Sequence, residues 1–354
     1  MMNFDRSRRE FLGRCWAVPA ATLLARSPVW AAAADASGFL TRGVVLVPED
    51  LTLADWPERA KRAGLSTIAL HPFPETVIKW LSAEAGQAFL EICRTLGLEV
   101  EYELHAMREL LPRSLFEKDP DLFRMDAKGQ RNADANCCPS NARTLETIAE
   151  AAVEIGRKLR PTTGRYFYWG DDAKPWCKCP KCRDLSDADQ ALLVENAMCQ
   201  ALRREDPRAQ VAHLAYHNTL QPPQQIKPAQ GVFLEYAPIH RRYDVPYEQQ
   251  QQPGAPDALS ALDANLEVFP RETAQVLEYW LDVSLFSKWK RPSVKLPWRQ
   301  DVFLSDLATY HKRGIRHVTS FAVYVDAAYQ KRFTDLTFLD EYGAGLAQPR
   351  LAAP

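Results

Sequence analysis

Short apolar runs alternate with longer amphipathic stretches along most of the chain, and one local pattern marks the handover between them. A polar helix end is followed by a glycine and then by a β-branched or apolar run. It occurs at Arg62-Ala63-Gly64 before Leu65–Leu70, at Thr95-Leu96-Gly97 before Leu98–Leu104 and at Lys312-Arg313-Gly314 before Ile315–Val325. Glycine ends a helix because it enters the left-handed region at little steric cost. A strand buried on both faces of a parallel sheet then reads as an unbroken apolar run. The pattern predicts eight strands: Gly43–Val47, Ser66–His71, Glu99–His105, Tyr166–Trp169, Val211–Tyr216, Val232–Tyr236, Leu277–Val283 and His317–Tyr324. Helices are predicted at Pro74–Leu96, Ala142–Leu159, Leu185–Arg204, Arg271–Glu278 and Val302–Lys312.

Eight βα units in about 300 residues fit an α/β chain folded as a (β/α)₈ TIM barrel. The competing architecture is an open doubly wound sheet. Against it, the first strand runs into Val47-Pro48-Glu49-Asp50 rather than a glycine-rich phosphate loop. Two irregular, proline-rich stretches, Leu110–Asn141 and Ile239–Leu262, become long loops after strands three and six.

The first 33 residues read as an address. Ser7-Arg8-Arg9-Glu10-Phe11-Leu12 fits the twin-arginine consensus, a moderately apolar stretch follows, and Ala31–Ala34 offers small-residue cleavage sites. Residues 1–33 are therefore expected to be a twin-arginine signal peptide and 34–354 a single barrel domain, periplasmic or secreted. No later segment is apolar enough to span a bilayer. Net charge is -1, from 44 basic and 45 acidic side chains, which argues against a nucleic-acid partner.

Chemistry in such barrels sits where the strands end. His71, Glu103 and His105 close strands two and three; Trp169, Asp171 and Asp172 end strand four. His217 and Asn218 follow strand five, Glu235 and His240 mark strand six, and Asp282 strand seven, with Trp298 beyond it. Tyr324 and Asp326 close strand eight. Each alone has an ordinary reading, such as a helix cap or a satisfied structural histidine. Their accumulation on one rim predicts a polar site. Neighbouring side chains on an extended segment point opposite ways, so Asp171 and Asp172 should differ in environment. Glycosidic cleavage requires a proton donor and a second group that steadies the developing oxocarbenium. Asp172 as acid, Asp171 as its orienter and Glu235 as second carboxylate form one candidate set. His71, Glu103, His105, Trp169, His217, His240, Trp298 and Tyr324 are the candidate substrate contacts.

Cys177-Lys178-Cys179-Pro180-Lys181-Cys182 follows the aspartate pair, and Cys137 and Cys138 lie in the preceding long loop. Three close thiols and one from a neighbouring loop suit a tetrahedral structural Zn²⁺ site; disulfides are the alternative in an oxidising compartment. Export of an already folded chain favours zinc.

Asn136-Cys137-Cys138-Pro139-Ser140-Asn141 opening a helix, an aromatic strand ending Gly170-Asp171-Asp172, and then Cys177-x-Cys179-x-x-Cys182 together resemble the DUF4838 family, related to glycoside-hydrolase-type TIM barrels. The resemblance implies an extracytoplasmic, carbohydrate-related role and carries the thiol site onto Cys138, Cys177, Cys179 and Cys182. Hexosaminidase-like barrels of this kind end strand four in Asp-Glu; here aspartate stands in the second position. An oligosaccharide or polysaccharide is the implied partner. The sequence thus supports a glycoside-hydrolase-like enzyme, with a non-catalytic glycan-binding barrel or a metal-dependent hydrolase as alternatives. It holds no nucleophile elbow, H-E-x-x-H or P-loop.

Overall fold

The computed structural model describes residues 38–250 and 258–348; the expected signal peptide lies outside the described residues. Eight parallel strands close into a barrel in sequence order, the (β/α)₈ architecture. They are β1 (Thr41–Leu46), β2 (Thr67–Leu70), β3 (Glu99–His105), β4 (Arg165–Trp169), β5 (Gln210–Ala215), β6 (Val232–Tyr236), β7 (Gln275–Glu278) and β8 (His317–Phe321). Closure is made by β1 on β8, from Thr41 opposite His317 to Val45 opposite Phe321.

Alternation along each strand sorts the core into two layers. Val44, Leu46, Ile68, Leu70, Val276 and Val318 face outward onto the helices. Val45, Ala69, Phe167, Trp169, Ala212, Phe233, Leu277 and Phe321 fill the lumen. No helix among the described residues is long and apolar enough to cross a membrane.

Three expected elements differ. The stretch Pro74–Leu96 is two helices, Pro74–Leu81 and Glu84–Leu96, which cross closely. A Cβ at Gly86 would run into the backbone of Trp80 and Leu81, so only glycine lets them meet. The seventh strand occupies Gln275–Glu278, not Leu277–Val283. The expected helix Arg271–Glu278 is therefore absent, and the helix before β7 is Ala258–Leu266. The apolar run continues past the strand because Trp280 packs under Phe303 and Tyr342 while Asp282 caps a short helix, Val283–Phe286.

Two ladders are short near the top of the barrel. β4 meets β5 only through Arg165–Gln210 and Tyr166–Val211, and β6 meets β7 only through Glu235–Gln275 and Tyr236–Val276.

Candidate active site

A cavity of about 330 Å³ opens at the C-terminal end of the strands. It lies within the size range of small-molecule sites. Its wall is aromatic: Trp169 from β4, Tyr216 after β5, Tyr279 after β7, Phe321 from β8 and Tyr324 beyond. Two carboxyl groups face it, Asp172 after β4 and Asp282 after β7. A second, wider depression of about 730 Å³ shares His71, Pro72, His105 and Asp172 with the first, so the two form one continuous groove.

The two histidines are oriented from behind. His71 Nδ1 lies 2.7 Å from the Glu103 carbonyl and His105 Nδ1 lies 2.9 Å from the Gly170 carbonyl. A carbonyl only accepts, so both rings carry hydrogen on Nδ1. Burial, with help from His105, pushes the His71 pKa down to about 3, which keeps this ring neutral and its Nε2 an acceptor. His71 packs edge-on against His105 and Phe321, at 5.5 and 5.2 Å between centroids.

The adjacent aspartates have different surroundings. Asp171 accepts from Arg113 Nη2 and from the Asn136 backbone, each at 2.7 Å. Asn136 returns the contact through Oδ1, which accepts from the Asp171 amide at 2.9 Å. Gly170 makes this clamp possible, since a Cβ there would sit 2.9 Å from Asn136 Oδ1. Asp172 instead lines the cavity and accepts a hydrogen bond from the Tyr216 hydroxyl.

Asp282 is the second carboxyl in the cavity. Its Oδ1 accepts from the Ser284 hydroxyl at 2.6 Å and from the Ser284 and Leu285 amides at 3.1 and 3.3 Å. Burial outweighs these bonds and raises its pKa to about 6. Oδ2 has no hydrogen-bond partner among the described residues.

Several residues singled out from sequence lie elsewhere. Glu235 is fully buried one layer below the cavity, where its Oε2 accepts from Trp169 Nε1 at 2.7 Å. It anchors the tryptophan from beneath and does not face the cavity with Asp172. Glu103 is equally buried in the lumen, 3.4 Å from Gln275 Nε2. Both pKa values are raised by burial, that of Glu235 to about 8, because the lumen holds these two and Glu101 against a single guanidinium, Arg165. His217 and His240 are exposed and stack edge-on at 4.3 Å, outside the residues lining either depression. Trp298 packs on Phe303 and Phe338 in the outer helical layer and donates to Glu341. Asp282 and Tyr279 take the places given to Glu235 and Trp298, and Trp289 joins them: it lines the cavity yet is 63% exposed. Its backbone, like that of Lys288, is left-handed, at φ 53° and 54°.

Beside the groove, the Sγ atoms of Cys138, Cys177, Cys179 and Cys182 all lie within 4.8 Å of one another, and all four residues are buried. Among the described residues this is the one group of His, Cys, Asp and Glu placed to hold a metal ion. None of these thiols is in a disulfide. Amides of Met125 and Cys179 point at Cys177 Sγ from 3.3 and 3.5 Å. Such N–H···S contacts suit a thiolate. Cys137 turns away into the main core.

The profile of the family described as a domain of unknown function, DUF4838, matches residues 44–279. The chain belongs to the DUF4838 family. Its matched segment runs from β1 to the end of β7, so it includes the thiol cluster and the Asp171-Asp172 turn. No curated protein matches the chain. Among solved structures, a β-N-acetylhexosaminidase from Bacteroides fragilis aligns over 87% of this chain at 12% identity with a TM-score of 0.51. The DUF4838 chain spans 65% of that protein's length. A tri-modular GH5 endo-β-1,4-glucanase from Bacillus licheniformis, solved with cellotetraose, aligns over 88% of this chain and 59% of its own, at 10% identity and a TM-score of 0.48. At these identities the likeness is one of fold: a glycoside-hydrolase-like barrel.

Proposed function

We propose that the protein is a carbohydrate-active enzyme that hydrolyses a glycosidic bond in an oligosaccharide or polysaccharide, with Asp172 and Asp282 as its carboxyl pair. One observation carries this reading: the two acids share one aromatic cavity at the catalytic end of the barrel, and burial keeps Asp282 protonated up to pH about 6. A carboxyl group that retains its proton while a second is tied to a hydroxyl is the division of labour this chemistry needs. Asp282 delivers a proton to the glycosidic oxygen from its free Oδ2. Asp172, fixed by Tyr216, faces the positive charge that develops on the sugar. Asp171 holds the turn in place through Arg113 and Asn136, and His71 and His105 accept from sugar hydroxyls. Turnover of a glycan panel tests the reading. Asp172→Asn and Asp282→Asn should each lower kcat/KM by about 10² to 10⁴ without loss of fold. Full activity in either variant removes that residue, and binding without turnover by the wild type turns the protein into a glycan-binding barrel.

The thiol cluster belongs to the same reading as a closed structural Zn²⁺ site. Four cysteines from the loops after β3 and β4, with amides directed at sulfur, meet the requirements of a tetrahedral thiolate centre. Zinc would fasten the two loops that carry Asn136 and Asp171. Residues 1–33 would direct the folded, metal-loaded protein through the twin-arginine route to the periplasm or beyond. Elemental analysis should find about one zinc per chain.

A further inference from the structure

The polarity of the cavity reveals more about its ligand than its shape does. Among the described residues no lysine or arginine lines the inner cavity, while Arg108 and Lys174 line the outer depression of the groove. At pH 7, above the Asp282 pKa of about 6, the fixed polar groups of the inner cavity include three acceptors: Asp172, the unpartnered Oδ2 of Asp282, and Nε2 of neutral His71. Of the guanidinium groups nearby, Arg113 is engaged by Asp171 at 2.7 Å, and Arg291 by Asp326 at 2.7 Å while lying 4.0 Å from the Tyr324 ring centroid; Arg108 belongs to the outer depression. Two side chains that are only 5% exposed present polar atoms there without a partner, Asp282 through Oδ2 and Tyr279 through its hydroxyl. Buried polar atoms are nearly always satisfied, so atoms left open in a cavity mark where a ligand forms hydrogen bonds. Around them stand the faces of Trp169, Tyr216 and Tyr324, with the exposed indole of Trp289 at the mouth.

Aromatic faces combined with carboxylates attract a cation, and they repel an anion. Resting on the carbohydrate reading above, we infer that the cavity takes a sugar bearing a free amine, bound as its ammonium with Asp172 as counter-ion, in preference to neutral or acidic sugars. The ammonium supplies three donors to the acceptors Asp172, Asp282 and His71. A uronic acid in the inner cavity would set a third carboxylate against Asp172 and Asp282, away from Arg108 and Lys174 in the outer depression. An N-acetyl group cancels the charge that the site is built to hold. Asp172 serves as the ionic partner, which leaves Asp282 its role as proton donor. Trp289 offers the ring a flat apolar face at the entrance.

Isothermal titration calorimetry on the full-length protein at pH 7 tests this without any turnover. Glucosamine, glucose, glucuronate and ethanolamine are titrated in turn. Glucosamine is expected to bind about tenfold more tightly than glucose, the size of a desolvated cation–π and ion-pair contribution, and glucuronate is expected to bind most weakly. Asp172→Asn should bring glucosamine and glucose to equal affinity. The wild-type ratio decides the matter without any variant: equal binding of glucose and glucosamine overturns the amine preference and leaves the glycan site standing. Ethanolamine binding as tightly as glucosamine overturns the sugar part, because the ring would then contribute nothing. If none of the three sugars binds, the carbohydrate reading itself falls.

Discussion

Replacing Asp282 by asparagine should make the protein more stable at neutral pH while removing its proton donor. The side chain is 5% exposed, and burial lifts its pKa from 3.8 to about 6. A carboxyl group whose folded pKa is raised stabilises the fold fully below its unfolded pKa, and that stability is lost as pH climbs through the folded value. Above both values, ionising Asp282 in place costs about 2 pKa units, or roughly 3 kcal/mol, relative to the unfolded chain. Asparagine never ionises, and its Oδ1 still accepts from Ser284 and Leu285. The stability difference between Asp282→Asn and wild type should therefore grow by about 2 kcal/mol between pH 4.5 and pH 7.5, in favour of the variant. For a barrel of this size that corresponds to a gap in Tm of roughly 3 °C. Thermal melts followed by circular dichroism at both pH values measure it. A gap that stays constant with pH, or that opens in favour of the wild type, refutes the assignment of a buried, proton-holding Asp282.

Substitutions at three further positions probe the frame around the site. Gly170→Ala forces a methyl group to within 2.9 Å of Asn136 Oδ1 and should cost about 1–3 kcal/mol in chemical denaturation, with a rise in KM as the Asp171 turn shifts. Glu235→Gln keeps an oxygen for Trp169 Nε1 and should retain activity within tenfold of wild type, whereas Glu235→Ala orphans that buried donor and should lower stability by about 2–4 kcal/mol in urea titration. Cys177→Ser should abolish zinc retention after desalting and depress Tm by several degrees, and a chelator should do the same to the wild type but nothing more to the variant.

The barrel was legible because its signals are local. Glycine after a helix and an unbroken apolar run recur at Gly64, Gly97 and Gly314, and each stands directly before a strand or the residues leading into it. Strand seven slipped because Gln275–Val283 is apolar on both sides of a turn, and only tertiary packing of Trp280 shows where the strand stops. Within the site, sequence reveals which face a residue takes but not its height in the barrel. Phe233, Glu235 and Ala237 all point inward by alternation, yet Ala237 alone of the three reaches the cavity. Depth thus separates Asp172 from Glu235, and depth has no one-dimensional signature. Asp282 stood on the rim in the sequence reading, but its raised pKa arises from burial that only the folded chain supplies. Trp289 left no trace, since a tryptophan between two lysines in a loop has no periodicity to expose it.

The crowded carboxyl groups of the barrel imply an exchange with solvent when the chain folds. Asp282 near pH 6, Asp50 and Glu278 near 7 and Glu235 near 8 all hold their protons more tightly than the extended chain does. Each raised value adds stability that is complete below about pH 4 and drains away as pH climbs toward 8. Asp206 and Asp301, lowered to about 2, titrate below that window, and His71 and His317, lowered by burial to about 3, offset only part of the uptake near neutrality. Refolding at neutral pH therefore withdraws hydrogen ions from the medium, and an unbuffered solution should turn more alkaline as native protein accumulates.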